Sequence, residues 1–209
     1  MSKHGSMNEG NLVLELIREI DVLWEPIYPY LARHIKELYG QREGEVLEIG
    51  PFSGVIFSLM KEGVGNRFVI ASFPFGMATF FLEQAGKAGA AEKIEVVETD
   101  PSLSDIEEET VDLAIFRGAF FFPSLFDADL GAVYRVLKPG GLALVGGGFG
   151  KYTPNSVILN LGKRSRELNL DIGKVEISEQ ALRQLIAQSH LAAHAQVIDE
   201  GGLWVLIKK

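Results

Sequence analysis

The sequence predicts an α/β fold built on one doubly wound sheet of seven strands, five of them parallel and the last two forming a C-terminal antiparallel hairpin. Three observations support this fold class. Short β-branched runs alternate with helical stretches from Glu45 to Gly146, which is typical of parallel strands joined by crossover helices. Only Glu200-Gly201-Gly202 separates the last two apolar runs, and a connection that short joins antiparallel strands. Two helical stretches precede the first strand.

The N-terminal region is predicted to hold two helices behind a short tail. Residues 1–10 are polar and are expected to be a flexible tail, whereas residues 11–209 are expected to form one domain. Across residues 12–23 apolar side chains recur at helical spacing. A second helix is predicted between Pro26 and Gly40, since proline favours a first helical turn and glycine an end. We expect the first helix to serve either as a substrate lid or as a homodimer contact. Its apolar periodicity fits both roles equally well.

Apolar runs and glycines divide the rest of the chain into strands and helices. Parallel strands are predicted at residues 45–50, 67–73, 93–99, 111–117 and 142–146, and the hairpin strands at 194–199 and 203–208. Helices are predicted at residues 54–62, 76–88, 126–137, 156–168 and 178–189. The acidic stretch 102–109 is too short to assign to either.

Composition excludes several classes of function. The 209 residues are 47% hydrophobic and 23% charged, which is enough apolar material for one large core. The net charge is −8 and no stretch gathers Lys and Arg on one face, so nucleic acid is not an expected partner. No apolar run reaches the roughly 20 residues that span a bilayer. We therefore expect no membrane partner and a cytoplasmic protein.

Thiol and metal chemistry are not expected either. Cysteine is absent, which removes disulfides, thiolate nucleophiles and thiolate metal ligands. His190 and His194 have the spacing of metal ligands on a helix, but they straddle a predicted helix end and strand start, so no metal site is expected. Chemistry must come from oxygen and nitrogen groups or from a bound cofactor.

The turn after the first strand is the first candidate for a ligand site, because ligands of open α/β sheets bind outside the carboxyl ends of the strands. It reads Glu48-Ile49-Gly50-Pro51-Phe52-Ser53-Gly54. The glycines let the backbone approach a ligand, and the Glu48 carboxylate can bind an ammonium group. A tight turn whose glycines serve the backbone alone explains the same residues.

This turn resembles motif I of the class I S-adenosylmethionine-dependent methyltransferases, in which an acidic residue and one other precede Gly-x-Gly-x-Gly. Residues 133–141, Val-Tyr-Arg-Val-Leu-Lys-Pro-Gly-Gly, resemble the turn before the fifth strand of the same family. The resemblance covers residues 24–209 and is nearest to the type 11 methyltransferases. It implies a Rossmann-like fold, S-adenosylmethionine as the one cofactor, and methyl transfer to a small, partly apolar molecule.

The resemblance also implies which residues contact the cofactor. The motif I turn lines its methionine end, Asp100 accepts a hydrogen bond from the adenine amino group, and the end of the fourth strand runs beneath it. Tyr28 lies where such families place a residue near the cofactor carboxylate. The implied cofactor-binding residues are Glu48, Gly50, Pro51, Phe52, Gly54, Ser72, Phe73, Asp100, Arg117, Gly118 and Tyr28. No catalytic residue is assigned, because aligning donor and acceptor and excluding water suffice for many methyl transfers.

Each of three assigned residues also has a purely structural interpretation. Asp100 precedes Pro101 and can be a turn residue, Arg117 can be a solvated strand end, and Tyr28 can be a core aromatic residue. The sequence leaves these alternatives open.

Two departures from the family pattern bear on cofactor binding. Phe52 replaces the middle glycine of motif I, and its ring narrows the space through which the cofactor would approach the turn. After the second strand the family has an acid that takes both ribose hydroxyls, whereas this chain has Ser72 and Phe73. A charge-assisted hydrogen bond contributes about 1.5–3 kcal/mol against about 1 kcal/mol for a neutral one. A second function therefore stays open, a non-catalytic binding protein that has lost or redirected cofactor binding. A nicotinamide dinucleotide is a less favoured ligand, since the turn that binds it in Rossmann folds also needs the central glycine and the acid that are missing here.

Phenylalanine is the unusual feature of the composition. All 13 phenylalanines lie between Phe52 and Phe149, and seven of them follow strands at the predicted cleft edge. Such a ring of aromatic side chains indicates either an apolar substrate pocket or a filled cofactor site. The seven are Phe52, Phe73, Phe75, Phe120, Phe121, Phe122 and Phe149.

Overall fold

The computed structural model describes the backbone of residues 4–209 and the side chains of residues 10–209. The strands are β1 (Glu45–Ile49), β2 (Arg67–Ser72), β3 (Ile94–Glu98), β4 (Val111–Arg117), β5 (Leu137–Gly148), β6 (Ala195–Ile198) and β7 (Gly202–Lys208). They form one seven-stranded sheet in the order β3-β2-β1-β4-β5-β7-β6. Strands β1 to β5 pair in parallel, and β7 pairs antiparallel with both β5 and β6. The predicted fold class, including the terminal hairpin, is confirmed.

Two helices precede the first strand, and five more lie in the connections between strands. They are α1 (His4–Trp24), α2 (Tyr28–Tyr39), α3 (Val55–Lys61), α4 (Met77–Lys87), α5 (Leu130–Val136), α6 (Asn155–Asp171) and α7 (Glu179–Gln188). Helix α1 begins at His4, so residues 4–10 extend the first helix. Residues 1–3 of the expected tail lie outside the described residues, and the flexibility of the tail stays a prediction. None of the described helices is long and apolar enough to cross a membrane.

Three local features differ from the sequence prediction. A 3-10 turn, Glu25–Ile27, separates α1 from α2, so the second helix begins two residues after Pro26. Strand β5 begins at Leu137, before the Pro-Gly-Gly segment that indicated a turn, and its register with β4 shifts there. The helix predicted at residues 126–137 is shorter, because α5 begins only at Leu130. Residues 102–109, which the sequence left unassigned, form turns and bends. In the first two cases backbone pairing and packing override the local preference of proline and glycine.

The register of the central strands places the site. Ile49, the last residue of β1, pairs with Ala71 of β2 and with Phe116 of β4. All three residues are buried. The carboxyl ends of β1, β2 and β4 therefore lie level at one edge of the sheet, and the loops that follow them share one cleft.

Helix α1 lies against α6 and the end of β5. The indole nitrogen of Trp24 donates a hydrogen bond of 3.0 Å to Ser165 Oγ, and its ring stacks on Phe149 with centroids 5.1 Å apart. Arg164 donates from Nε to Glu19 at 2.8 Å. These contacts hold the C-terminal end of α1 beside the cleft edge.

Candidate functional site

The turn after β1 is held by a hydrogen bond to strand β2 and by one from a side chain of its own. The Gly50 N–H donates to the Ala71 carbonyl at 2.8 Å, and Ser53 Oγ donates to the Gly50 carbonyl at 2.8 Å. Gly50 has a φ of +90°, a conformation that L side chains rarely adopt. Pro51 is buried within the turn. The turn is rigid before any ligand is considered.

Glu48 is committed to the backbone of the same turn. Its carboxylate accepts hydrogen bonds from the N–H groups of Gly54 (2.8 Å), Ile56 (2.9 Å) and Val55 (3.2 Å) at the start of α3. Burial raises the pKa of Glu48 to about 7, although the positive charge of Arg117 and the three N–H groups act in the opposite direction. Glu48 therefore fixes the helix start that shapes the turn.

Arg117, at the end of β4, is buried at 4% exposure rather than solvated, so the interpretation as a solvated strand end is wrong. Its Nη1 donates to the Phe52 carbonyl at 2.9 Å. The guanidinium carbon lies 4.9 Å from the ring centroid of Trp24 and 4.8 Å from that of Tyr28. Cation–π contacts of this kind are favourable, more so when water is excluded. Arg117 thus joins the motif I turn to the N-terminal helices.

Tyr28 packs on the last glycine of the turn. A Cβ atom on Gly54 would lie only 2.6 Å from Tyr28 Cε2, so the tyrosine ring covers that glycine. The Tyr28 hydroxyl donates to Asp21 Oδ1 at 3.2 Å. Burial raises the pKa of Asp21 well above its usual value, against the opposing charge of Arg117. Sequence reasoning missed Asp21, which lies four residues after the buried Ile17 and hence on the same face of α1.

Phe52 covers the glycine that follows β4. A Cβ atom on Gly118 would lie 2.6 Å from Phe52 Cδ2, and Gly118 has a φ of +79°. The Phe52 ring also packs on Phe122 with centroids 4.6 Å apart. The residue that replaces the middle glycine of the motif therefore lies inside the cleft and against its floor.

Phe73 covers the first glycine of the turn in the same way. A Cβ atom on Gly50 would lie 3.2 Å from Phe73 Cζ. The Phe73 ring contacts Phe116 and Phe126 edge to face, with centroids 5.9 and 5.4 Å apart. In contrast, Phe75 is 84% exposed, so its predicted place at the cleft edge is wrong.

The ends of β2 and β3 carry polar side chains without partners. Ser72 Oγ and Thr99 Oγ1 are both buried and have no hydrogen-bond partner among the described residues. Their strands are neighbours, because the Thr99 N–H donates to the Ser72 carbonyl at 3.0 Å. A buried hydroxyl without a partner costs stability, so its retention indicates a ligand or an ordered water.

Asp100 stabilises the turn that follows β3, which is the structural role the sequence left open for it. Its Oδ1 accepts hydrogen bonds from the Ser102 N–H (2.8 Å) and from Ser102 Oγ (2.5 Å). These bonds lower the pKa of Asp100, so its carboxylate is ionised at neutral pH. The side chain is exposed, which leaves its second oxygen accessible to a ligand.

Comparison with known proteins finds methyltransferases with a similar sequence and fold. Residues 47–145 match the family model described as a methyltransferase domain. A solved structure from Methanococcus maripaludis, proposed as an S-adenosyl-L-methionine-dependent methyltransferase, is 26% identical, covers 94% of this chain and 91% of its own, and has a TM-score of 0.69. The chain is thus similar to S-adenosylmethionine-dependent methyltransferases in sequence over residues 47–145 and in fold over most of its length.

Two further methyltransferase structures share the fold. One is a SAM-dependent methyltransferase from Aquifex aeolicus, 17% identical over 92% of this chain and 96% of its own, with a TM-score of 0.61. The other is a geranyl diphosphate C-methyltransferase from Streptomyces coelicolor A3(2), in complex with Mg²⁺, geranyl diphosphate and S-adenosyl-L-homocysteine. It is 13% identical over 85% of this chain and 75% of its own, with a TM-score of 0.55. No curated protein matches this sequence.

The polar atoms of this methyltransferase fold fit the cofactor of the family. Ser72 Oγ and Thr99 Oγ1 offer unpaired hydroxyls beside the exposed Asp100 carboxylate. The glycines fit less simply, since aromatic rings cover all three of Gly50, Gly54 and Gly118. The structure therefore combines a suitable set of hydrogen-bonding groups with a cleft closed by the rings of Phe73, Tyr28 and Phe52.

Proposed function

We propose that this chain is an S-adenosylmethionine-dependent methyltransferase that acts on a small, partly apolar molecule. The observation that carries the proposal is the pair of buried, unpartnered hydroxyls of Ser72 and Thr99 next to the exposed Asp100. They lie at the ends of neighbouring strands, where the family resemblance expects the adenosine. Ligand hydroxyl and amino groups at this place would satisfy atoms that the protein leaves without partners.

The chain's own residues would share the work of binding. Ser72 and Thr99 would hold the ribose, Asp100 the adenine amino group, and the rigid turn from Gly50 to Gly54 the methionine end. When bound, S-adenosylmethionine supplies an electrophilic methyl group on a sulfonium. The surrounding side chains would exclude water from it and orient the acceptor, which is the main protein contribution to such a transfer.

The aromatic side chains at the cleft edge support a partly apolar substrate. Phe120, Phe121 and Phe149 are half-buried at the ends of β4 and β5, so their rings can meet a ligand without a large rearrangement. Apolar and aromatic walls with a few polar groups are typical of small-molecule sites. The fold neighbour from Streptomyces coelicolor was solved with geranyl diphosphate, a molecule of this character.

The closed cleft favours a second candidate, a non-catalytic binding protein of the same fold. Phe73 and Phe52 are buried against Gly50 and Gly118, where a cofactor would approach the backbone. In this alternative the two rings occupy the cleft permanently and keep the cofactor out. In the proposed function they turn aside when the cofactor enters.

Thermal shift with S-adenosylmethionine and S-adenosylhomocysteine tests the proposal. We expect both to raise the melting temperature, and Asp100→Asn to reduce the shift by removing a charged acceptor. Asp105→Asn is the matched control, since it removes an exposed carboxylate from the same loop without touching the strand end. A shift that is equal in both variants overturns the role of Asp100, and no shift at about 1 mM ligand favours the non-catalytic candidate.

A further inference from the structure

A groove of about 340 Å³ runs along α3 and α4 and borders the proposed cofactor cleft at Ser53 and Gly54. Phe57 and Phe80 line its middle, and Lys61 and Lys87 line the end formed by the last residues of α3 and α4. The other end, near the start of α3, is lined by Asp21, the exposed Glu25, Tyr28 and Gly54. The two lysines are the C-terminal residues of α3 and α4, whereas Asp21 faces the N-terminal end of α3. The seven residues of α3 span about 10 Å, and because the groove follows this helix, its length is about the same.

The two ends of the groove differ in charge. Both lysines are exposed, and neither forms an ion pair with a carboxylate among the residues whose side chains are described. Two unpaired cations converging on one cavity attract an anionic group, and the attraction is strongest where apolar walls limit screening. The half-buried Gln84 also lines the groove and can donate a further hydrogen bond.

The opposite end has an unmet hydrogen bond. Asp21 is 4% exposed, and its Oδ2 has no hydrogen-bond partner among residues 10–209, although Oδ1 accepts from the Tyr28 hydroxyl. A buried carboxyl oxygen without a partner costs stability. A hydroxyl at the far end of a ligand can supply the missing bond, since a hydroxyl both donates and accepts.

We propose that this groove binds an elongated aromatic carboxylate, with its carboxylate between Lys61 and Lys87, its ring between Phe57 and Phe80, and a hydroxyl directed to Asp21. The volume suits one small ring with a short chain, and the aromatic walls favour stacking or edge-to-face contact with it. The groove meets the proposed cofactor site at Tyr28 and Gly54, whereas its lysine end lies at the C-terminal residues of α3 and α4, away from the strand ends.

Binding of 4-(4-hydroxyphenyl)butanoate, measured by isothermal titration calorimetry on the full chain, tests the inference. We expect the double variant Lys61→Gln/Lys87→Gln to bind about tenfold more weakly than the wild type, because both cationic contacts are lost. The matched control Lys93→Gln/Lys163→Gln makes the same change in net charge at exposed lysines outside the groove, and we expect it to bind within about twofold of the wild type.

A steric variant and a second probe complete the test. Ala88→Phe places a ring in the groove from an exposed position at the end of α4, and we expect it to abolish binding. The probe 4-phenylbutanoate lacks the hydroxyl, and we expect it to bind several-fold more weakly. Three results would overturn the site. They are an equal loss of probe affinity in the two double variants, wild-type affinity of Ala88→Phe for the probe, and no binding of 4-(4-hydroxyphenyl)butanoate to the wild type at about 1 mM. Equal affinity of the two probes overturns the assignment of the hydroxyl end.

The same variants separate this inference from the proposed cofactor site. We expect Lys61→Gln/Lys87→Gln to bind S-adenosylhomocysteine as the wild type does, since both lysines lie at the far end of α3 and α4 from the strand edge. Loss of S-adenosylhomocysteine binding in this variant would place the lysines in the cofactor site and overturn the separate groove.

Discussion

The ring of Phe73 lies over Gly50, so that a Cβ atom on the glycine would be 3.2 Å from Phe73 Cζ. In the proposed function, the cofactor approaches the backbone of the turn that begins at Gly50, and Phe73 is 4% exposed. The ring and the cofactor cannot occupy this space together. Displacing a buried ring costs free energy, which the cofactor must offset by its own contacts.

Phe73→Ala is expected to bind S-adenosylhomocysteine about tenfold more tightly than the wild type, because one of the two phenylalanine rings that must leave the cleft is already absent. The same change should lower the free energy of unfolding by about 3 kcal/mol, since it removes a buried ring. Calorimetric titration and urea unfolding measure the two effects. Phe81→Ala is the control, because it removes a fully buried ring on α4 away from the cleft. A gain in affinity in both variants, or in neither, contradicts the account.

Gly118→Ala is expected to destabilise the protein more than Gly140→Ala. Both glycines have a similar φ, +79° and +85°, so the backbone strain of an added Cβ is alike. Only at Gly118 does the Cβ meet a ring, that of Phe52, while nothing lies within 4 Å at Gly140. We expect an additional loss of about 1–3 kcal/mol in the free energy of unfolding. Equal losses in denaturant unfolding would show that Phe52 does not press on Gly118.

Glu48→Gln is expected to flatten the dependence of stability on pH. The pKa of Glu48 is raised from 4.5 to about 7 in the folded state, so the folded state binds its proton more tightly than the unfolded state. Stability therefore falls as pH rises between about 4.5 and 7, by up to about 3 kcal/mol. Glutamine does not titrate, and the fall attributed to Glu48 should vanish. Urea unfolding at several pH values measures it, with the exposed Glu83→Gln as control.

Arg117→Met is expected to extend the decline in stability to higher pH. The positive charge of Arg117 lowers the pKa values of Glu48 and Asp21 against the effect of their burial. Without that charge both pKa values rise further, so the carboxyls stay protonated over a wider range in the folded state. Arg117→Lys keeps the charge and should keep the wild-type profile. A profile for Arg117→Met that coincides with that of Arg117→Lys would show that the guanidinium charge does not reach these carboxyls.

Much of the fold follows from local sequence signals. The glycines at 40 and 201–202 set the end of α2 and the terminal hairpin, because each has a positive φ that other residues avoid. The alternation from Glu45 onward predicted every parallel strand to within a few residues, except for the start of β5. That strand crosses Pro139 and Gly140 because β4 and β7 supply pairing partners that the local sequence does not reveal.

The interior of the site was less accessible to sequence reasoning. The burial of Arg117 depends on Trp24 and Tyr28, which lie about ninety residues earlier in the chain and reach it only through the packing of the N-terminal helices. The spacing of Ile17, Asp21 and Trp24 along one face of α1 was the signal that could have identified Asp21 as buried. Whether Phe73 turns aside for a ligand depends on competing free energies, which a sequence pattern does not contain.

A crystal structure of the protein grown with S-adenosylhomocysteine tests the central claim most directly. The account predicts adenosine density beside Ser72, Thr99 and Asp100, with the ring of Phe73 rotated away from Gly50. The result that would contradict it comes from crystals grown in about 1 mM ligand: Phe73 still lies over Gly50, and no adenosine density appears at the ends of β2 and β3.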